Sequence, residues 1–173
     1  MRDAIVAGLT LNIFNKHSDR VRMANIAQTI NVLQAVALTD GEEMLLTPTY
    51  HVFRLYREHQ NNTLLGSYIT TPMLGEAGNV PQLIESASIN DDGTIVATIV
   101  NTSMTESAEI ACQIADFSVG SVSAEILTGD AHDHNSFENK NAVTPADFTD
   151  FTLTADGFST VIPGCSVVRF LIK

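Results

Sequence analysis

Leu83-Ile84-Glu85-Ser86-Ala87-Ser88-Ile89-Asn90-Asp91-Asp92-Gly93-Thr94-Ile95-Val96-Ala97-Thr98-Ile99-Val100-Asn101 reads as two strands around a tight turn. Asn, Asp and Gly tolerate the positive φ that hairpin turns require, so Asn90-Asp91-Asp92-Gly93 joins Leu83–Ile89 to Thr94–Asn101. The second strand is rich in Ile, Val and Thr, whose branched Cβ suits a pleated surface. Similar runs follow at Glu109–Ile114, Val122–Leu127, Phe151–Leu153, Ser159–Ile162 and Ser166–Ile172. So many short strands between turns imply a mainly β chain, built as a β-sandwich of jelly-roll or immunoglobulin-like kind rather than a parallel sheet.

Upstream of the hairpin the chain changes character. Ala4, Ile5, Gly8, Leu9, Leu11 and Ile13 describe a largely apolar helix, with Asp3 placed favourably against the positive end of its dipole. Val21–Ala27 is ambiguous, since Val21, Met23 and Asn25 alternate as in a strand while Met23, Ala27 and Ile30 fit helical spacing. Asp40-Gly41 marks a turn, and Met44–Leu46 suits a short strand. Thr47-Pro48 reads as N-cap and first-turn proline of a helix reaching about His59, with Val52, Phe53 and Tyr56 as its apolar stripe. Residues 1–60 hold six Lys+Arg and six Asp+Glu, whereas 61–173 hold three and fourteen. We therefore place a boundary near Gln60: a short, mostly helical segment at 1–60, then a β-sandwich domain at 61–173.

Composition bounds the possibilities. A chain of 173 residues with 45% hydrophobic and 17% charged residues has enough apolar material for a packed core, which excludes a disordered or collagenous chain. Nine Lys+Arg against twenty Asp+Glu give a formal net charge of −11, which repels phosphate backbones and anionic lipid. Neither nucleic acid nor a membrane surface is an expected partner. Cys112 and Cys165 are too few for a disulfide framework and sit in alternating apolar runs, where buried free thiols belong. Gln28, Asn31 and Gln34 interrupt the longest apolar stretch, so no membrane span is expected. Met1–Phe14 lacks the features of a signal peptide, which points to a cytoplasmic location.

Few residues announce chemistry. Asp130-x-His132-Asp133-His134 is the one dense group of metal-ligand types, but no third His or Cys lies nearby, and the loop reads as a solvated turn. No metal and no cofactor are expected. Short signatures for acyl, phosphoryl, hydride or zinc chemistry are missing. Glu42-Glu43 follows a turn and reads as a solvated pair. Asn61-Asn62-Thr63 and Asn101-Thr102-Ser103 satisfy the glycosylation pattern, which arises often by chance. Sugar-stacking platforms favour exposed Trp, and this chain has none. Phe117, Phe137, Phe148, Phe151, Phe158 and Phe170 are expected in the core.

A longer pattern carries more. Asp3–Phe14, then His17-Ser18-Asp19-Arg20-Val21-Arg22-Met23-Ala24-Asn25-Ile26-Ala27-Gln28, Asn31-Val32-Leu33, Leu38-Thr39-Asp40-Gly41 and Thr47-Pro48-Thr49-Tyr50-His51-Val52-Phe53 together resemble the α-L-arabinofuranosidases of glycoside hydrolase family fifty-one. The likeness continues through Asn101, Leu127-Thr128-Gly129, Asn135-Ser136-Phe137-Glu138-Asn139, Val143, Pro145 and Ile162-Pro163. It covers essentially the whole chain, but only the C-terminal third of the family.

The resemblance implies a (β/α)8 barrel followed by a β-sandwich. Residues 1–60 would then be the remnant of the last barrel units: Asp3–Phe14 the seventh helix, Val21–Gln28 the eighth strand and Pro48–His59 the last helix. It also implies a retaining mechanism with two Glu about 5 Å apart, both upstream of the segment matching Asp3. The catalytic pair is therefore absent from this chain. Gln28 matches a family position touching the arabinofuranose ring, at the strand end where barrel active sites gather. It is the single candidate site residue, for substrate binding.

Three functional expectations follow from the missing barrel strands, carboxylates and first sandwich strand. The chain is the C-terminal domain of an arabinofuranosidase, inactive alone; or an accessory or oligomerisation sandwich; or one half of a split enzyme. In the complete enzyme the partners are arabinofuranosyl glycans. For the chain itself, the apolar side chains of Ile26, Ile30, Leu33 and Val36 favour a homo-oligomer or a separate barrel partner.

Overall fold

The computed structural model describes residues 1–27 and 29–173. Helix α1 (Arg2–Lys16) carries Asp3 in its first turn and Lys16 in its last, which suits the charge at each end. A hairpin of β1 (Ala37–Asp40) and β2 (Glu43–Leu46) follows, turning at Gly41 with φ 57°. Helix α2 (Pro48–Tyr56) begins at Thr47, whose hydroxyl accepts from Tyr50 N at 3.4 Å, with Pro48 fixing the first turn. A 3₁₀ turn at Arg57–His59 ends the helical part.

The β part comprises β3 (Thr63–Leu65), β4 (Met73–Leu74), β5 (Val80–Pro81), β6 (Leu83–Ile89), β7 (Ile95–Asn101), β8 (Ala108–Gln113), β9 (Val122–Thr128), β10 (Ala146–Asp147), β11 (Phe151–Thr154), β12 (Gly157–Ile162) and β13 (Ser166–Ile172). The large sheet runs in the order β10-β9-β13-β7-β6-β3, and a three-stranded sheet in the order β11-β12-β8. Their strand pairs are antiparallel, including the β6–β7 hairpin, in which Ile89 faces Ile95 across the turn. The chain is mainly β, as expected.

Alternation along the central strands makes two cores. Ile99, Val168, Phe170 and Ile172 face the small sheet, where they meet Ile110, Phe158 and Ile162. Val100, Val167 and Leu127 face the other way, against Ile5 and Leu11 of α1 and Val52 and Leu55 of α2. Both helices thus lie on one face of the large sheet. Gly8 permits that approach, because a Cβ there would stand 2.9 Å from Val100 Cγ2. Phe148, Phe158 and Phe170 are buried, whereas Phe137 is only half-buried and stands outside both cores.

Two differences from expectation have physical causes. Residues 21–27 lie outside every helix and strand, although the resemblance implies a barrel strand there. Strands are held by ladder bonds to neighbours, and among the described residues the main chain of 22–27 finds no main-chain partner. Strands β1, β3, β4, β5 and β10 went unanticipated because two to four residues carry no readable period. Among the described residues no helix is long and apolar enough to cross a membrane.

Candidate functional site

Gln28, the candidate substrate contact, lies outside the described residues. The other residues weighed from sequence are placed as follows. Glu42 and Glu43 are exposed at the β1–β2 turn, and Glu43 stands 3.5 Å from Lys140. Asp130 and Asp133 close a turn on themselves: Asp130 N donates to Asp133 Oδ2 at 2.8 Å, and Asp133 N to Asp130 O at 2.9 Å. His132 and His134 project from that exposed loop. Among the described residues no three His, Cys, Asp or Glu side chains are arranged to hold a metal.

Two residues of the sequence pattern prove to be internal braces. Asn101 is fully buried, and its Nδ2 donates to Glu106 O at 2.9 Å, Pro163 O at 3.1 Å and Ile162 O at 3.2 Å. An amide so enclosed has no room for a glycan. Asn135 ties the 130–143 loop to β2, with Nδ2 donating to Leu46 O at 2.7 Å and Oδ1 accepting from Val143 N at 2.7 Å.

The richest polar constellation lies where the helices meet β6 and β7. Asn12, 0% exposed, donates from Nδ2 to Ile84 O at 2.9 Å. Its Oδ1 accepts from Ser86 Oγ and Thr98 Oγ1, each at 2.7 Å. Asn15 Nδ2 donates to Ser86 Oγ at 3.0 Å. His59 bridges the two strands, with Nδ1 2.8 Å from Ser88 Oγ and Nε2 3.1 Å from Thr98 Oγ1. Asn62 Nδ2 donates to Ser88 Oγ at 3.1 Å.

One assignment of protons satisfies every bond that Asn12 and His59 make in this network. A hydroxyl has one proton to give. With the Thr98 proton on Asn12 Oδ1 rather than on Ser86 Oγ, 3.2 Å away, Thr98 accepts from His59 Nε2–H. Ser88, already accepting from Asn62, donates to an unprotonated Nδ1. The imidazole is neutral. Burial, with help from nearby Arg169 and against the opposing charge of Glu58, pushes its pKa down to about 4. Tyr56 stands beside it, ring centroids 5.8 Å apart, its hydroxyl donating to Gly8 O at 2.9 Å; burial raises the phenol pKa well above its usual value.

An ionic ladder flanks this network. Arg54 Nη2 meets Glu125 Oε1 at 2.8 Å, Arg169 pairs with the same carboxylate, and Arg169 Nη1 lies 3.8 Å from Glu58. It joins α2 and the 3₁₀ turn to β9 and β13.

A cavity of about 540 Å3 opens beside His59. Its wall carries Arg22, Arg57, Asn61 and Asn62 over Phe14 and Tyr56, with no carboxylate. A smaller cavity of about 320 Å3 at the start of α1 includes Asp3 and Asp133. The Asp133 carboxylate is already committed to its own turn. Among the described residues, these two cavities therefore do not present a free pair of carboxylates for general acid and nucleophile.

Sequence reasoning missed this interlayer network. The available signal was the run Ser86, Ser88 and Thr98 on one face of a hairpin whose other face carries Leu83, Ala87, Ile89, Ile95 and Ile99.

Residues 1–166 match the family described as Alpha-L-arabinofuranosidase C-terminal domain. The chain is 40% identical over 176 aligned residues to an intracellular exo-α-L-arabinofuranosidase of Bacteroides ovatus, covering 100% of this chain and 34% of that protein. The crystal structure of a glycoside hydrolase family fifty-one arabinofuranosidase from Xanthomonas axonopodis pv. citri superposes with a TM-score of 0.93 at 35% identity, over 98% of this chain and 35% of that one. An α-L-arabinofuranosidase from Thermotoga maritima, solved with arabinose, shares the fold at a TM-score of 0.85 and 24% identity, over 97% of this chain and 37% of that one. The chain thus spans about a third of the length of the relatives it matches.

Proposed function

This chain belongs to the α-L-arabinofuranosidase C-terminal domain family, and on that premise we propose that it is the non-catalytic part of an enzyme hydrolysing terminal arabinofuranosyl residues. The carrying observation is the match over residues 1–166, in a chain equal to about a third of its relatives. The cavities support the same reading, since neither offers a free carboxylate pair. Residues 1–60 are read as the last barrel units and 61–173 as the sandwich. The partner is the rest of the barrel, joined in one chain or supplied by another. By analogy with the Bacteroides ovatus relative, whose name calls it intracellular, the enzyme works inside the cell.

Two assays test this. The purified chain should release no chromophore above background from a chromogenic α-L-arabinofuranoside, because exposed carboxylates such as Glu42 do not replace a positioned pair. Replacing the C-terminal third of the Bacteroides ovatus enzyme with this chain should give an active chimera. A folded but inactive chimera, or turnover by the chain alone, would sink the reading.

Gln28 is proposed as a sugar contact in that complete enzyme. A neutral amide donates to and accepts from hydroxyls, and leaving such a bond unmade costs roughly 1–3 kcal/mol. Gln28→Ala in the chimera should therefore lower kcat/KM by about 5- to 150-fold. Unchanged kcat/KM with a lowered Tm would make Gln28 structural.

A further inference from the structure

We infer that His59 and the hydroxyls it bonds form an acid-operated latch, which seats the helical layer on the large sheet while the ring is neutral and loosens it when the ring gains a second proton. The geometry is specific to one protonation state. In the Nε2–H tautomer Ser88 donates into Nδ1 and Nε2–H donates to Thr98, and each ring nitrogen is tied to a different strand. A proton arriving at Nδ1 turns that acceptor into a donor aimed at the Ser88 proton, and the Ser88 hydroxyl must rotate away. Thr98 is held in turn by Asn12 of α1, so the disturbance reaches both helices' attachment.

The surrounding charges do not accommodate an imidazolium. Arg169 approaches from β13, and Arg22 and Arg57 line the adjoining cavity. Tyr56, from α2, is a neutral phenol bonded to Gly8 O. Glu58 opposes them but is already engaged by Arg57 Nε at 3.1 Å and by Arg169. Glu125 is held by Arg54 and Arg169, and Lys16 of α1 pairs with Glu85 of β6. The ring thus sits among more cations than free anions.

Release is local because the two cores are separate. Ile5, Leu11, Val52 and Leu55 pack on one face of the large sheet, while Phe158, Phe170 and Ile162 fill the other. Opening the first leaves the second closed, as expected for cooperative units of unequal stability. In the released state the ring meets water and recovers an ordinary pKa near 6.5, whereas seated it is held near 4. A depressed folded pKa means that seating is strongest above about pH 6.5, weakens as pH falls toward 4, and levels off below.

Amide hydrogen exchange of the whole chain, corrected for intrinsic rates, tests the latch. Between pH 7 and pH 5 the opening constant of amides in Arg2–Lys16 and Pro48–His59 should rise about twentyfold, while β7 and β13 change less than about threefold. His59→Gln, whose amide donates and accepts without titrating, should abolish the rise. Nitrogen NMR of the wild-type ring should find the Nε2–H tautomer at neutral pH, which keeps the idea testable if the variant does not fold. An equal rise in His59→Gln would overturn the latch. So would a uniform rise across all strands, or an Nδ1–H tautomer.

Discussion

Asn12 shows how much a single buried amide can hold. Its oxygen receives two hydroxyl protons and its nitrogen serves a main-chain carbonyl, with no exposure to water. Asn12→Ala leaves Ser86, Thr98 and Ile84 O searching for partners, at about 1–3 kcal/mol for each that stays unpaired. We expect a loss of about 3 kcal/mol in urea unfolding. A change under about 1 kcal/mol would mean that water replaces the amide without strain. None of this was readable from the chain alone, because Asn12 and Ser86 lie 74 positions apart and an Asn in an apolar helix has no local mark. Glu42, His132 and His134, read from sequence as solvated despite their chemically suggestive types, are exposed, while Gln28, the one residue singled out as a site, lies outside the described residues.

At the level of elements, local signals read well and pairing did not. The Asn90–Gly93 turn writes its own geometry: Asn90 Oδ1 accepts from Thr94 N at 2.9 Å, Asp92 Oδ1 accepts from Thr94 Oγ1 at 2.6 Å, and Gly93 takes φ 85°. Likewise Thr47-Pro48 starts α2 where its residue types say it should. The order of strands across a sheet depends on contacts between distant segments, so it left no such mark. Gly157 is a case in point. A Cβ there would lie 2.0 Å from Cys112 O, the main chain of the neighbouring strand, which has no flexible end to move aside. Gly157→Ala should break the β12–β8 register and cost more than about 3 kcal/mol, beyond ordinary overpacking. Thermal unfolding decides it, a Tm within a few degrees of wild type being the result that fails the expectation.

For the molecule as a whole, the described residues between the helices leave several large apolar side chains in water. Leu33 is 89% exposed, Met23 75% and Ile30 51%, whereas Ile26 and Val36 are half-buried. Apolar side chains so exposed favour association, and the proposed partner is the remaining barrel. The isolated chain should bind a hydrophobic dye and scatter light as more than a monomer, and Leu33→Lys with Met23→Lys should reduce both. A strict monomer without dye binding would show that this surface is content in water.

The position of β13 also sets an order of events during synthesis. It lies between β9 and β7, and each pairing with it spans seven residues, so β10-β9 and β7-β6-β3 stay unjoined until Ser166–Ile172 has left the ribosome. From Val122, where β9 begins, translation needs on the order of several seconds to reach that strand at about 5–20 residues per second. Throughout that interval the edges of β7 and β9 that will receive β13 are both open, and the nascent chain presents them to holdase chaperones and to neighbouring copies on the same message.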